Sequence, residues 1–302
     1  MKFFAIILLA LGMAVPALAG SRDLIKMTPS TAFSVMAADV AELRENDVFL
    51  SLEKNGQIWV FDESSHMGKT LADLKIDPKK DLSAFLFARY INPYGSKGKV
   101  HLLELTRDLT PQLAGKEAPV YLNVKLYRLD PQGDLYAANV APNTWAVGAL
   151  TGVKTAVDVA KGRQDPLQKN VQLNTLFGKV PRQASFWGMA VPFSRREAAA
   201  LGSEQSTNAM LEAFENYYFF GVPTKQNVAS HFVGRAKSES EAAFVTTFMI
   251  GTLTFAKFKV EDNVAEMLDT VDVHREGLDI HVTGTVTSEI MDSYFKGDLG
   301  VK

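Results

Sequence analysis

The order of apolar and polar positions divides the chain into a leader and an irregular succession of strand and helix patterns. Phe3–Val15 is an unbroken apolar run. Beyond it the period keeps changing. Short apolar or alternating runs near Ala84–Tyr90, Val120–Leu129, Leu135–Val140 and Thr144–Gly148 predict strands. Val48–Leu52 and Gln57–Phe61 flank Asn55-Gly56, a pair that favours a hairpin turn because both residues tolerate positive φ. Val153–Gly162 has helical spacing. Further on, strands are expected near Ala184–Val191 and Val228–Ala236, a capped helix start at Ser194–Glu197, and a helix over about Ser206–Phe220. Ser238 with Glu241 forms a capping box, opening a helix that runs toward Phe258. A hairpin spans Thr270–Thr287, and a last helix starts near Ser288. This succession lacks strict strand–helix alternation. It predicts an α+β fold with two related, mostly antiparallel sheets, each covered by helices.

The chain also resembles itself. At an offset of 146, Lys79, Leu82, Leu86 and Arg89 match Lys225, Val228, Phe232 and Arg235. At an offset of 152, Pro29 to Ala32 with Arg44-Glu45 match Pro181 to Ala184 with Arg196-Glu197. At 135, Val153–Gly162 matches Ser288–Gly297, both ending Lys-Gly. Offsets that shrink in order along the chain are those of two copies with unequal loops. The expected organisation is a leader over 1–19, a first copy over 20–165 and a second over 166–302. The polar stretch Gly162-Arg163-Gln164-Asp165-Pro166 serves as the junction.

The leader itself has a chemistry. Lys2 precedes the apolar run, Pro16 ends it, and Ala17-Leu18-Ala19 supplies the small-x-small pattern of a signal-peptidase site. The run is shorter than the roughly 20 apolar residues a spanning helix needs. Cleavage after Ala19 is therefore expected, with the mature chain in the periplasm or secreted and without a transmembrane helix. The absence of cysteine excludes disulfides, thiolate metal sites and a lipid-modified N-terminal Cys. With 32 basic and 34 acidic residues, removal of Lys2 leaves 31 − 34 = −3. That balance disfavours a nucleic-acid partner.

The tandem layout resembles a group of uncharacterised exported bacterial proteins with an α+β repeat. The residues that carry the likeness are Asp77-Pro78-Lys79-Lys80-Asp81-Leu82, and Trp145-Ala146-Val147-Gly148 leading into Val153–Gly162. It implies a fold over nearly the whole mature chain and no site residues.

Common catalytic signatures fail on inspection. There is no G-x-S-x-G elbow and no H-E-x-x-H. The S-x-x-K strings at Ser51–Lys54 and Ser293–Lys296 lack the accompanying K-T-G. Gly68-Lys69-Thr70 ends like a phosphate loop, but Glu63 stands where the first glycine is required. Glu212 with Glu215, and Asp62 with Glu63, are the nearest carboxylate pairs that could run glycosidase chemistry.

Two constellations remain. In Val271–Val282, a turn at Glu276-Gly277 sets Asp272 opposite His281 and His274 opposite Asp279, away from an apolar face of Val271, Val273, Leu278, Ile280 and Val282. Facing Cβ atoms lie about 4.5–5.5 Å apart, so the four residues suit solvent-facing ion pairs, a shared metal ion or a pH-responsive contact. The second is aromatic. Phe214, Tyr217 and Tyr218 cluster before Gly221, and Phe244, Phe248, Phe255 and Phe258 recur at helical spacing. Ala242–Ala256 is uncharged, yet 15 residues make only about 22 Å of helix, against a hydrocarbon core of roughly 30 Å. The expectation is an exported, non-catalytic binding or scaffold protein with no cofactor, taking an unidentified protein or apolar ligand through these aromatics. An apolar-ligand or lipid carrier and a hydrolase with an unconventional site are the alternatives.

Overall fold

The computed structural model describes residues 20–54, 68, 71–72, 74–92, 95–191, 213–258, 265 and 268–295. Its helices in chain order are α1 (Gly20–Leu24), α2 (Val40–Leu43), α3 (Asp47–Lys54), α4 (Pro78–Asp81), α5 (Leu150–Ala160), α6 (Val171–Phe177), α7 (Glu239–Lys257) and α8 (Ser288–Phe295). The strands are β1 (Ala32–Asp39), β2 (Leu82–Ile91), β3 (Lys97–Leu105), β4 (Glu117–Tyr121), β5 (Val124–Arg128), β6 (Tyr136–Ala141), β7 (Thr144–Gly148), β8 (Phe186–Ala190), β9 (Phe214–Pro223), β10 (Asn227–Ala236), β11 (Asp272–Glu276) and β12 (Asp279–Thr287). Residues 15–44 and 56–175 make one compact unit; 45–55 and 176–302 belong to the other.

In the first unit the strand order is β1-β2-β3-β7-β6-β5-β4, with antiparallel pairing throughout. Register sets Ala37, Leu86, Leu102, Ala146, Ala138 and Leu126 in one cross-strand row, and all six are buried. Directly opposed residues share a face, so this row is a continuous apolar layer. Helix α5 packs against β3, β6 and β7, burying Val153, Ala156 and Val157. Gly152 permits the approach: a Cβ there would meet the Lys99 carbonyl oxygen at 2.3 Å.

The Asp77–Leu82 motif has a structural job. The Asp77 carboxylate accepts from Lys79 N–H at 3.0 Å, while Asp77 N–H donates to the Asp81 carboxylate at 2.9 Å. Pro78 occupies the first turn, where its missing N–H costs nothing. The result is a reciprocally capped single turn that launches β2. Arg107 donates to Asp81 at 2.9 Å and holds its carboxyl below the usual carboxylate range, with Asp77 N–H adding to the effect against burial.

In the second unit the order is β8-β9-β10-β12-β11, again antiparallel. Helix α7 covers β10, β11 and β12. Ser238 caps it by accepting from Glu241 N–H at 3.2 Å. Early residues join this unit: the Asn46 amide donates to the Thr224 and Asn227 carbonyls, its oxygen caps α3 through Phe49 N–H at 3.1 Å, and Ser51 donates to Asp292 on α8.

Several expectations change. The α+β class holds, with antiparallel strand pairing inside each unit. Val48–Leu52 is helical within α3, because Asn46 supplies a cap and Val48, Phe49 and Ser51 bury together; Gln57–Phe61 lies outside the described residues. Ser206–Phe220 is a strand from Phe214 onward, as the β propensity of its aromatic run favours. Val120–Leu129 is two strands joined at Leu122-Asn123, whose φ values are +49° and +62°. The strand β3 was not expected. The offset-146 self-match sets β2, second in its unit's order, against β10, third in its own. Ser194–Glu197, Asp62-Glu63, Glu212 and Lys69-Thr70 lie outside the described residues.

Asp81→Asn is expected to lower Tm at pH 7 by about 2–4 °C, corresponding to roughly 1 kcal/mol in a domain of this size. The depressed native pKa means the unfolded chain binds more protons, so this contribution is lost as pH falls. The deficit should be full above about pH 4 and vanish in more acidic buffer. A deficit unchanged by acid in circular-dichroism melts would overturn the assignment.

Candidate functional site

Helix α7 carries two apolar stripes. Ala242, Val245, Met249, Leu253 and Ala256 recur every three or four residues and are buried. They close on Phe214, Tyr217, Ile280 and Val282 of the sheet. A second stripe, Phe244, Phe248, Phe255 and Phe258, faces solvent, with 64%, 39%, 60% and 79% of each residue exposed. Rings of Phe244 and Phe248 stack at 6.2 Å. Gly251 lies between the phenylalanine pairs, and a Cβ there would meet no atom within 4 Å. Soluble helices ordinarily keep this face polar. Four phenylalanines on one exposed stripe make an apolar surface patch.

The other aromatic candidates are not on that surface. Phe214, Tyr217 and Tyr218 lie on β9 and are buried. Phe214 packs edge-on to Phe232 at 5.6 Å, and Tyr217 stacks on the same ring at 5.7 Å. A register shift beside Phe214 puts it on the same face as Tyr217, under α7. Tyr218 takes the other face of β9, its ring beside Phe220 at 6.4 Å and Lys179 Nζ at 5.5 Å. All three are packing residues.

The hairpin β11–β12 differs from its expected register by one turn position. The turn residues are Gly277 and Leu278, with φ of +61° at Gly277; a glycine in the first central position is what such a turn demands. His274 therefore faces His281, Asp272 faces Thr283 and Glu276 faces Asp279. The two imidazoles lie parallel with centroids 4.9 Å apart. His274 Nδ1 donates to the Asp272 carboxylate at 2.5 Å. Glu276, expected in the turn, instead sends its carboxylate to 3.8 Å from His274 Nε2 and 3.9 Å from His281 Nε2. Asp279 leaves the group for Arg235, at 3.0 Å. On the neighbouring strand, burial and then the nearby His281 push His231 below the usual imidazole range. Both histidines stand on the sheet face opposite Ile280 and Val282, hence opposite α7.

A third feature had no counterpart in the sequence reading. In the first unit a groove of about 640 Å³ lies by the β4–β5 and β6–β7 turns, lined among others by Asn123, Lys125, Asn139, Asn143, Trp145 and Lys161. Positive φ at Asn123 and Asn143 turns the backbone there. Asparagine tolerates that geometry, but no local motif ties the two turns together in advance.

No known protein family and no curated protein matches the chain. Solved structures do. Crystal form III of TP0453 is similar with a TM-score of 0.53 at 11% identity, covering 90% of this chain and 97% of that one. Crystal form I gives 0.52 at 10% identity, covering 94% and 100%. The likeness shows the fold alone. Among the described residues no helix is long and apolar enough to cross a membrane.

The two aromatic groups should respond oppositely to truncation. Phe214→Ala is expected to cost about 3–5 kcal/mol in urea unfolding, the range for a buried ring. Phe244→Ser should stay within about 0.5 kcal/mol of wild type. Equal losses would contradict the burial pattern.

Proposed function

We propose that the protein is an exported, non-catalytic scaffold and that it assembles through the outer face of α7, against a second copy of itself. The observation that carries this reading is the exposed phenylalanine stripe. Export rests on Lys2, the Phe3–Val15 run and Ala17-Leu18-Ala19, and tandem duplication is the proposed origin of its two units. The outer pair of the stripe is symmetric about Gly251: Phe244 stands seven residues before it and Phe258 seven after. In an antiparallel helix pair crossing at Gly251, Phe244 of one copy meets Phe258 of the other, and the reverse contact forms by symmetry. A glycine at the crossing lets the two backbones approach. The only basic residue in the last turn, Lys257, is held by Asp269 at 2.6 Å, so the face is apolar rather than cationic.

The carrier alternative requires a cavity between the long helix and its sheet. That layer is filled by Phe214, Met249, Ile280 and Val282, which favours a partner on the outside of α7 over a ligand beneath it.

Sedimentation velocity on the chain from Gly20 onward tests the assembly. Wild type should show a sedimentation coefficient that rises with concentration, and Phe244→Ser with Phe255→Ser should remain monomeric with an unchanged Tm. Wild type that stays monomeric, or a double variant that associates equally, overturns the reading. So does binding to uncharged phosphatidylcholine vesicles without self-association.

A further inference from the structure

We infer that His274, His281 and Glu276 form a binding site for a divalent transition-metal ion, with Zn²⁺ as the best fit, on the outer hairpin of the second unit. Ligand atoms of these three residues all lie within 4.8 Å of one another. Zn²⁺ takes imidazole nitrogen at about 2.0–2.1 Å and carboxylate oxygen at about 2.0–2.2 Å, so tetrahedral ligands sit about 3.4 Å apart. The Nε2 to carboxylate distances of 3.8 and 3.9 Å need a contraction of roughly half an ångström. Rotation of the exposed Glu276 side chain, 73% of it open to solvent, supplies that movement for the carboxylate. The two stacked imidazoles, with ring centroids 4.9 Å apart, turn about their side-chain torsions so that both Nε2 lone pairs converge on one ion.

The tautomer is already set. Asp272 engages Nδ1 of His274 at 2.5 Å, and a carboxylate can only accept, so the proton of the neutral ring sits on Nδ1. The Nε2 lone pair then points away from Asp272, toward Glu276. A carboxylate behind a ligating histidine orients the ring and raises its basicity. Asp272 is thus a positioning residue and Glu276 a ligand, a division that the expected register could not make.

The ligand set decides which ions are accepted. Two imidazoles with one carboxylate suit zinc, copper and nickel, whereas calcium and magnesium prefer oxygen-rich shells. Three protein ligands leave one tetrahedral position for water. The site also joins β11, the last strand in the sheet order, to β12. A metal shared between His274 and His281 therefore clips an edge strand of five residues onto the nine-residue strand beside it. Ligation here stabilises the fold without touching the α7 face.

Isothermal titration of tag-free protein, residues 20–302, with zinc chloride tests the site. One saturable site per chain is expected, with at least a tenfold loss of affinity in His281→Ala and in Glu276→Gln. Asp272→Asn should weaken binding about 10–100-fold through the positioning effect alone. Calcium chloride should give no saturable heat. Zinc should raise the Tm of wild type and leave that of His274→Ala with His281→Ala unchanged. Wild type without saturable zinc binding, or the double variant titrating like wild type, overturns the inference.

Discussion

Strand β12 is paired on both sides, and its register governs the second unit. Nine residue pairs join it to β10, and five join it to β11. Because side chains alternate along a strand, this pairing commits Ile280, Val282 and Val286 to burial and His281 and Thr283 to the opposite face. A slip of one residue would exchange the two sets. The core beneath α7 and the histidine pair above the hairpin are therefore consequences of one register. Gly277 pins it, since its positive φ closes the turn where Glu276 and Asp279 still face each other.

Helix α7 depends on the same strand. Its inner stripe of small and medium side chains, Ala242, Val245, Met249 and Ala256, fits close to a sheet already filled by Phe214 and Ile280. Burying that stripe stabilises the helix enough to tolerate phenylalanine on the outside, where it adds little to the fold. An exposed residue that contributes little to stability is free to serve contact. The phenylalanine stripe and the hairpin histidines thus occupy opposite sides of one layer, and substitutions at one should leave the other intact.

Much of the fold was legible locally. The capping box at Ser238 and Glu241, the strands around Ala84–Tyr90 and Val228–Ala236, and the turn-linked strands before α8 are written in spacing and in side chains that bond their own backbone. The helix α3 was misread because Val48–Leu52 suits either period. The choice falls to Asn46, whose amide reaches Thr224 and Asn227 far along the chain. The run at Phe214–Phe220 failed for a related reason: aromatics suit a helix or a strand, and pairing with β8 and β10 on its two sides decides. In the candidate site, the histidines were legible as neighbours and Glu276 was not, because its role depends on where the turn begins.

The sequence by itself determined the α+β class, the lack of cysteine chemistry and the helical stripe of Phe244, Phe248, Phe255 and Phe258. These follow from composition and from contacts within a few residues. Tertiary structure alone decided that this stripe faces water while Phe214, Tyr217 and Tyr218 do not, and that His274 meets His281 rather than Asp279. Both are questions of which distant strand lies alongside. Apolar side chains carry no mark of the partner they will be buried against, and a two-residue period reads the same in either register until neighbouring strands and a glycine turn select one.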